Sequence, residues 1–121
     1  MQQETPTTFA QCTEFEHIDD EACRSFIATT ELVGRRWSSG IMLALARGAA
    51  RFSEVLAIVD GLSDRMLAQR LKELEAAGLV RRAVIPTTPV QVRYGLTERG
   101  ADLLRSLEPL SDWGRRWAAR N

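Results

Sequence analysis

Apolar residues recur along the chain with two different periods, and the period changes just after Gly78. Upstream of that glycine they return every three or four positions, which is the spacing of amphipathic helices. Glycines separate the helical stretches, with Gly61 in the turn before the fourth helix. Either Asp19 or Asp20 is expected to cap the first helix, Ser63 the fourth and Thr97 the last. The pattern therefore predicts four helices, over residues 21–33, 37–46, 51–59 and 63–77.

Beyond Gly78 the pattern changes to short segments with strand propensity. Residues 79–85 stop at Pro86, and residues 90–96 alternate between apolar and polar side chains, so the two segments predict an antiparallel hairpin. A last helix is expected after Thr97, with a kink or break near Pro109 because proline lacks an N–H. The predicted fold class is mainly α with a small β-hairpin wing, a winged helix-turn-helix.

The 121-residue length fits one domain, and the organisation along the chain follows from polarity. Residues 1–19 are polar and are expected to form a flexible N-terminal arm, whereas residues 20–121 are expected to form the domain itself. No apolar run is long enough to cross a bilayer, and the N-terminus has no secretion signal. These features predict a cytoplasmic protein that associates with the nucleoid when bound to DNA and has no membrane partner.

A formal net charge of zero hides an uneven distribution of charge. Residues 1–34 carry seven acidic side chains and one basic side chain, whereas residues 35–99 carry eleven basic and six acidic ones. Fifteen of the sixteen basic residues are arginine, which makes forked contacts with phosphate and guanine. A basic middle segment is the electrostatic footprint expected of a nucleic-acid-binding surface.

The predicted helix over 63–77 has the pattern of a recognition helix. Leu67, Leu71 and Leu74 share one side, and the opposite side is polar and basic. Any surface helix is amphipathic, but the helix before it and the wing after it favour entry into the major groove of double-stranded DNA. Arginine can read guanine, glutamine can read adenine, and alanines permit close approach. The predicted DNA-contacting residues are Ser63, Arg65, Ala68, Gln69, Lys72, Arg51, Arg81, Arg82 and Arg93.

Four blocks of sequence resemble the HxlR-type regulators of the MarR-like superfamily. They are Gly-Arg-Arg-Trp at 34–37, Arg-Phe-Ser-Glu-Val at 51–55, the leucine-rich stretch at 63–80, and Tyr-Gly-Leu-Thr-Glu-Arg-Gly at 94–100. The resemblance covers about residues 23–117 without large gaps. It departs at Arg93, where the family often has glutamate, and at Cys23, which is followed by arginine instead of proline and lies about one residue out of register.

The resemblance implies a homodimeric transcription regulator, most often a repressor, whose first and last helices form the dimer interface. The apolar residues that would line this interface are Phe26, Ile27, Leu107, Leu110, Trp113 and Trp117. An interface rich in aromatic side chains could instead, or in addition, hold a small apolar effector, so this partner stays an open alternative.

Cys23 is the candidate redox sensor, because an N-terminal cysteine senses oxidants or electrophiles in some relatives. The neighbouring Arg24 favours reactivity, whereas Asp20 and Glu21 oppose it. A thiol without a role is the competing interpretation, and Cys12 would be the resolving partner if a disulfide forms.

Other function classes find little support along the chain. There is no phosphate-binding glycine loop, metal-ligand spacing or catalytic set, so we expect no enzyme activity, no metal and no cofactor. The alternative function is a winged-helix protein-interaction module that does not bind DNA. Such a module would need apolar residues where Arg65, Gln69 and Lys72 stand.

Overall fold

A computed structural model describes residues 13–118, which contain five α-helices and one two-stranded antiparallel sheet. After a short 3-10 turn, Thr13–Phe15, the elements are α1 (Asp20–Gly34), α2 (Ser38–Ala46), α3 (Phe52–Ile58), α4 (Asp64–Ala76), β1 (Val80–Ile85), β2 (Gln91–Leu96) and α5 (Glu98–Ala118). The predicted fold class is confirmed. The chain divides into two compact units between Val33 and Gly34, and each is described separately.

The first unit contains most of α1. The Asp19 carboxylate accepts a hydrogen bond from the Ala22 N–H at 2.8 Å, so Asp19, one of the two expected residues, caps the helix. No residue of α1 is buried within the chain, and Phe26 and Ile27 are exposed.

The core of the second unit is made by the inner sides of α2, α3 and α4. Leu67, Leu71 and Leu74 of α4 are at most 2% exposed, which confirms the predicted apolar side of this helix. Each such side chain stabilises the fold by roughly 1.5–3 kcal/mol through burial. They pack in a core whose other large, fully buried members are Ile41, Met42, Val55 and Val80.

The turn between α3 and α4 depends on Gly61. Its φ of +83° is a left-handed conformation, and a Cβ at this position would lie 3.2 Å from Cη2 of Trp37. Trp37 is itself left-handed, with φ +80°, so α2 begins at Ser38 instead of the predicted residue 37. The Gly-Arg-Arg-Trp block thus contributes a tryptophan that packs against the turn between α3 and α4.

The start of α5 is anchored to the corner between α4 and β1. The Thr97 hydroxyl accepts from the Gly100 N–H at 3.0 Å and donates to the Gly78 carbonyl at 2.6 Å. A Cβ on Gly100 would lie 2.1 Å from the Leu79 carbonyl oxygen, so only glycine allows this approach. The Thr-Glu-Arg-Gly block therefore fixes where the last helix leaves the hairpin.

Of the kink or break predicted near Pro109, the break is wrong, because α5 continues without interruption from Glu98 to Ala118. The kink stays a prediction. Proline removes one hydrogen bond from a helix interior. The residues on both sides of Pro109 remain helical, so the loss is confined to one turn.

The hairpin has the predicted connectivity, with Val80 paired to Leu96 and Ile85 paired to Gln91. Its alternating sequence does not produce one buried and one exposed face, because Val80 is the only buried residue of the two strands. Val90, placed in the strand by the sequence pattern, precedes β2 and is exposed.

Candidate nucleic-acid interface

The outward side of α4 presents the predicted base-reading residues to solvent. Arg65, Ala68, Gln69 and Lys72 are all exposed, while the opposite side of the helix is buried in the core. The hydroxyl of Ser63 accepts from the Met66 N–H at 3.1 Å, so it caps the helix, and its own O–H is positioned at the helix start. The helix is therefore held by its apolar side and offers a polar side of small and basic residues.

The arginines predicted for the wing lie on both faces of the hairpin. Arg82 is paired with Tyr94 and shares its face, whereas Arg81 and Arg93 lie on the opposite face with Ala83. Alternation along β1 separates Arg81 from Arg82, and the strand register adds that Arg93 shares the face of Arg81. The positive charge of the wing can thus reach a partner from either side.

A cleft of about 400 Å³ separates α4 from the hairpin. Lys72 enters it from α4 and Arg82 from β1, and Tyr94 provides an aromatic wall. Glu75 lines the same cleft. The fold thereby brings one cation of α4 and one cation of the hairpin to the same concave surface.

Strand β2 is joined to the start of α3 by two hydrogen bonds. The Tyr94 N–H donates to the Ala50 carbonyl at 2.7 Å, and Arg51 Nη2 donates to Gln91 Oε1 at 3.2 Å. Oε1 of Glu54 accepts from the N–H groups of Ala50 and Arg51 at 2.8 and 2.9 Å. These two backbone hydrogen bonds, the one from Ala50 first, hold the pKa of Glu54 below its ordinary value.

Sequence reasoning missed Arg70, whose position beside the leucines of α4 conceals its role. It is only 8% exposed, its Nε donates to the Arg36 carbonyl at 2.9 Å, and its Nη1 reaches both carboxylate oxygens of Glu73. Glu73 also pairs with Arg35 at 3.1 Å and accepts from Gln69 at 3.4 Å. This cluster ties the Gly-Arg-Arg-Trp block to α4 beside a predicted base-reading side chain, and its sequence signal was the three-residue spacing of Arg70 and Glu73.

On α5, the apolar residues predicted for a dimer interface are mostly exposed. Leu110 is 60% and Trp113 54% exposed, Trp117 is exposed too, and Leu107 is half-buried. Leu107 also lines a cavity of about 500 Å³ between α2 and α5, together with Leu43 and other residues. Its volume suits a small apolar molecule, but an effector remains a prediction.

On α1, Phe26 and Ile27 from the same predicted interface are exposed. Cys23 has a free, exposed thiol. Its predicted resolving partner, Cys12, lies outside the described residues.

Within residues 13–118 no group of three or more His, Cys, Asp or Glu side chains could hold a metal ion. No helix in that part of the chain is long and apolar enough to cross a membrane.

A short helix, a glycine turn, a solvent-facing amphipathic helix and a hairpin together define a winged helix-turn-helix protein. The profile of the HxlR-like helix-turn-helix family matches residues 32–121, and the chain belongs to that family. It is a transcriptional regulator of the helix-turn-helix type, as the sequence resemblance predicted.

Three relatives illustrate the similarity. The uncharacterized HTH-type transcriptional regulator YvaP of Bacillus subtilis is 42% identical over 97 residues, covering 80% of this chain and 90% of YvaP. The crystal structure of diamide-treated YodB from B. subtilis has a TM-score of 0.67 and 39% identity, covering 74% of this chain and 89% of YodB. The redox regulator HypR in its reduced form has a TM-score of 0.71 and 32% identity, covering 78% of this chain and 93% of HypR.

Proposed function

We propose that the protein is a homodimeric repressor that binds a pseudo-palindromic operator in double-stranded DNA. The observation that carries this proposal is the orientation of α4: its leucine side is buried, and Arg65 and Gln69 face solvent. Arginine and glutamine carry the donor and acceptor groups that discriminate guanine and adenine in the major groove. Arg51, Lys72 and the wing arginines would then contact the phosphate backbone and set the register.

The dimer follows from apolar surface that the single chain leaves in water. Leu110, Trp113 and Trp117 on α5 form one such surface, and Phe26 and Ile27 on α1 form another. Aromatic side chains of this kind are enriched at protein interfaces. In a symmetric dimer the two α4 helices would enter successive major grooves about 34–36 Å apart.

The test is a titration of the reduced protein against labelled DNA from its own upstream region, with an unrelated fragment as control. Binding at least ~10³-fold tighter to the upstream fragment establishes a sequence-specific regulator. Similar weak binding to both fragments places the operator elsewhere and calls for selection from a random library. A reporter gene behind the operator then gives the sign of regulation.

The alternative, a winged-helix module that contacts proteins only, has less support. Such a module needs an apolar contact surface, whereas Arg65, Gln69 and Lys72 occupy the exposed side of α4. Absence of DNA binding even at low salt, where phosphate contacts are strongest, would favour this alternative and reject the repressor.

Redox control through Cys23 is the second candidate function, favoured by its exposed thiol and by the similarity to HypR, a redox regulator. In the simplest chemistry a peroxide oxidises the thiol to a sulfenic acid and is reduced to water. The variant Cys23→Ala should bind DNA as tightly as the wild type but lose its response to oxidant. The matched control is Ser25→Ala, at an exposed position two residues further along α1, which should keep both the DNA affinity and the response to oxidant. Cys12→Ala is a separate test, because it loses the response only if a disulfide forms. If Cys23→Ala still responds, the sensor is another group.

A further inference from the structure

Two arginine side chains from separate elements meet on one amide oxygen at the first residue of β2, next to the hairpin loop. Arg51 Nη2 donates to Gln91 Oε1 at 3.2 Å, and Arg93 Nη2 donates to the same oxygen at 3.4 Å. A guanidinium group has only donors, so the oxygen of the Gln91 amide is the single atom of that side chain able to hold both. Arg51 and Gln91 are 40 positions apart, and only the fold brings them together.

The backbone at Ala50 and Arg51 is held by hydrogen bonds to β2 and to Glu54. The Tyr94 N–H donates to the Ala50 carbonyl, which joins β2 to the residue before Arg51. Glu54 Oε1 accepts from the N–H groups of Ala50 and Arg51. The positions from which the two guanidinium groups extend are therefore set by the folded backbone.

The charges of the cluster do not cancel. Gln91 is neutral, so it cancels neither charge. The carboxylate that interacts with both arginines belongs to Glu54. Its pKa is lowered by its backbone hydrogen bonds and further by the charges of Arg51 and Arg93. One of its two oxygens is already engaged by two N–H groups. Two positive charges thus face one carboxylate, and most of the ten guanidinium N–H donors are not used by Gln91.

We propose that Arg51 and Arg93 form one phosphate-binding site, that Gln91 is its positioning residue, and that the ligand is a backbone phosphate of DNA. The proposal rests on the proposed function. Forked donors suit the tetrahedral phosphate oxygens, and both arginines are exposed at the surface. The site adds affinity without sequence preference, because a phosphate carries no base information.

The experiment measures binding to a labelled duplex of random sequence by fluorescence anisotropy at several salt concentrations, so no operator is needed. Arg51→Ala and Arg93→Ala should each weaken binding about tenfold. Each should also reduce the slope of log affinity against log salt by about one per protomer. The double variant should reduce that slope no further, because both arginines serve one phosphate. The control Arg105→Ala removes an exposed arginine from α5 and should leave binding unchanged.

Two substitutions at Gln91 separate positioning from a merely structural role. Gln91→Ala should weaken binding about threefold in the wild type and have no effect in the double arginine variant, since nothing remains to be positioned. Gln91→Glu keeps the acceptor oxygen and adds a negative charge, which forms ion pairs with both arginines. The variant should therefore keep the melting temperature of the wild type. Its affinity for DNA should be lower than that of Gln91→Ala, because the paired arginines are no longer available to phosphate. Thermal melts monitored by circular dichroism confirm that each variant is folded.

Three results would overturn the proposal. The first is a slope change of about two per protomer in the double variant, which means two separate phosphates. The second is a Gln91→Ala effect of equal size in both backgrounds. The third is an affinity equal to that of the wild type in both single arginine variants. In that case the protein still binds DNA, so the proposed function stands and only the phosphate site is rejected. A wild type that binds no duplex at low salt rejects both.

Discussion

The helices α4 and α5 are both amphipathic, yet they leave opposite sides in water. In α4 the leucines at positions 67, 71 and 74 are buried, and the exposed side carries Arg65, Gln69 and Lys72. In the C-terminal half of α5, Leu110 and Trp113 are exposed instead. The same kind of sequence pattern therefore ends in two different surfaces, one polar and one apolar.

The difference indicates what each helix still lacks. α4 has satisfied its apolar side within its own chain, so its free surface suits a polar, negatively charged partner such as DNA. α5 has not buried its apolar side in this way. Covering its exposed tryptophan and leucine side chains with another protein surface lowers the free energy. We infer that the two helices divide the work of binding DNA and of binding a second copy.

The largest expected effect is on the buried side of α4. Leu71→Ala should lower the free energy of unfolding by about 2–5 kcal/mol, because it leaves a cavity in the core. Urea denaturation measures the change. Leu43→Ala, a leucine on α2 that is 52% exposed, is the matched control and should cost less than about 1 kcal/mol. Equal losses would mean that the exposed leucines are as important to the fold as the buried ones.

The next effect concerns the apolar side of α5. Trp113→Ala should raise the dimer dissociation constant about 100-fold or more, since each dimer loses two large aromatic contacts. Sedimentation equilibrium measures the change, with Asp102→Ala, on an exposed position of the same helix, as control. If Trp113→Ala has the same dimer dissociation constant as the wild type, α5 is not part of the dimer interface.

A smaller effect is expected on the polar side of α4. Arg65→Ala should weaken binding to the operator by about 1–3 kcal/mol and leave binding to random DNA nearly unchanged, if this arginine reads a base. Competition titrations with operator and random duplexes measure the difference. An equal loss on both would show that Arg65 contacts only phosphate, and the helix would then read DNA through Gln69 or through shape.

The smallest effect lies outside both helices, at Glu54. Its pKa is below the ordinary value of 4.5 in the folded protein, so its hydrogen bonds stabilise the fold fully above about pH 4.5. That contribution is lost as the pH falls through the lowered pKa, because the carboxyl becomes protonated. Glu54→Gln should make the melting temperature less dependent on pH below 4.5, as measured by thermal melts. An unchanged pH profile would assign the acid sensitivity to other carboxylates.

Most of the local structure could be predicted from the chain. The caps at Ser63 and Thr97, the turn at Gly61 and the apolar side of α4 were all recognisable because each depends on residues within a few positions of one another. The break expected at Pro109 was wrong because a long helix can lose one hydrogen bond and continue.

The candidate site was predicted less completely. The exposure of Arg65 and Gln69 follows from helical periodicity, so it could be read from the sequence. The buried Arg70, its contact with the Arg36 carbonyl, and the link of Glu73 to Arg35 could not. These contacts join positions more than thirty residues apart, and no local pattern encodes such a distance.

Periodicity, capping residues and glycine positions along the chain were enough to specify the helices, the hairpin and the polar side of α4, because these are short-range properties of a polymer with a buried and an exposed side. The family was recognised separately, from the resemblance of four sequence blocks. The placement of Gln91 between Arg51 and Arg93, the position of Arg93 on the same face as Arg81, and the exposed apolar side of α5 arose only when distant segments packed together. The physical reason is that strand register and core packing are cooperative: they depend on which segments fill the same space, and that choice is made by the whole chain at once.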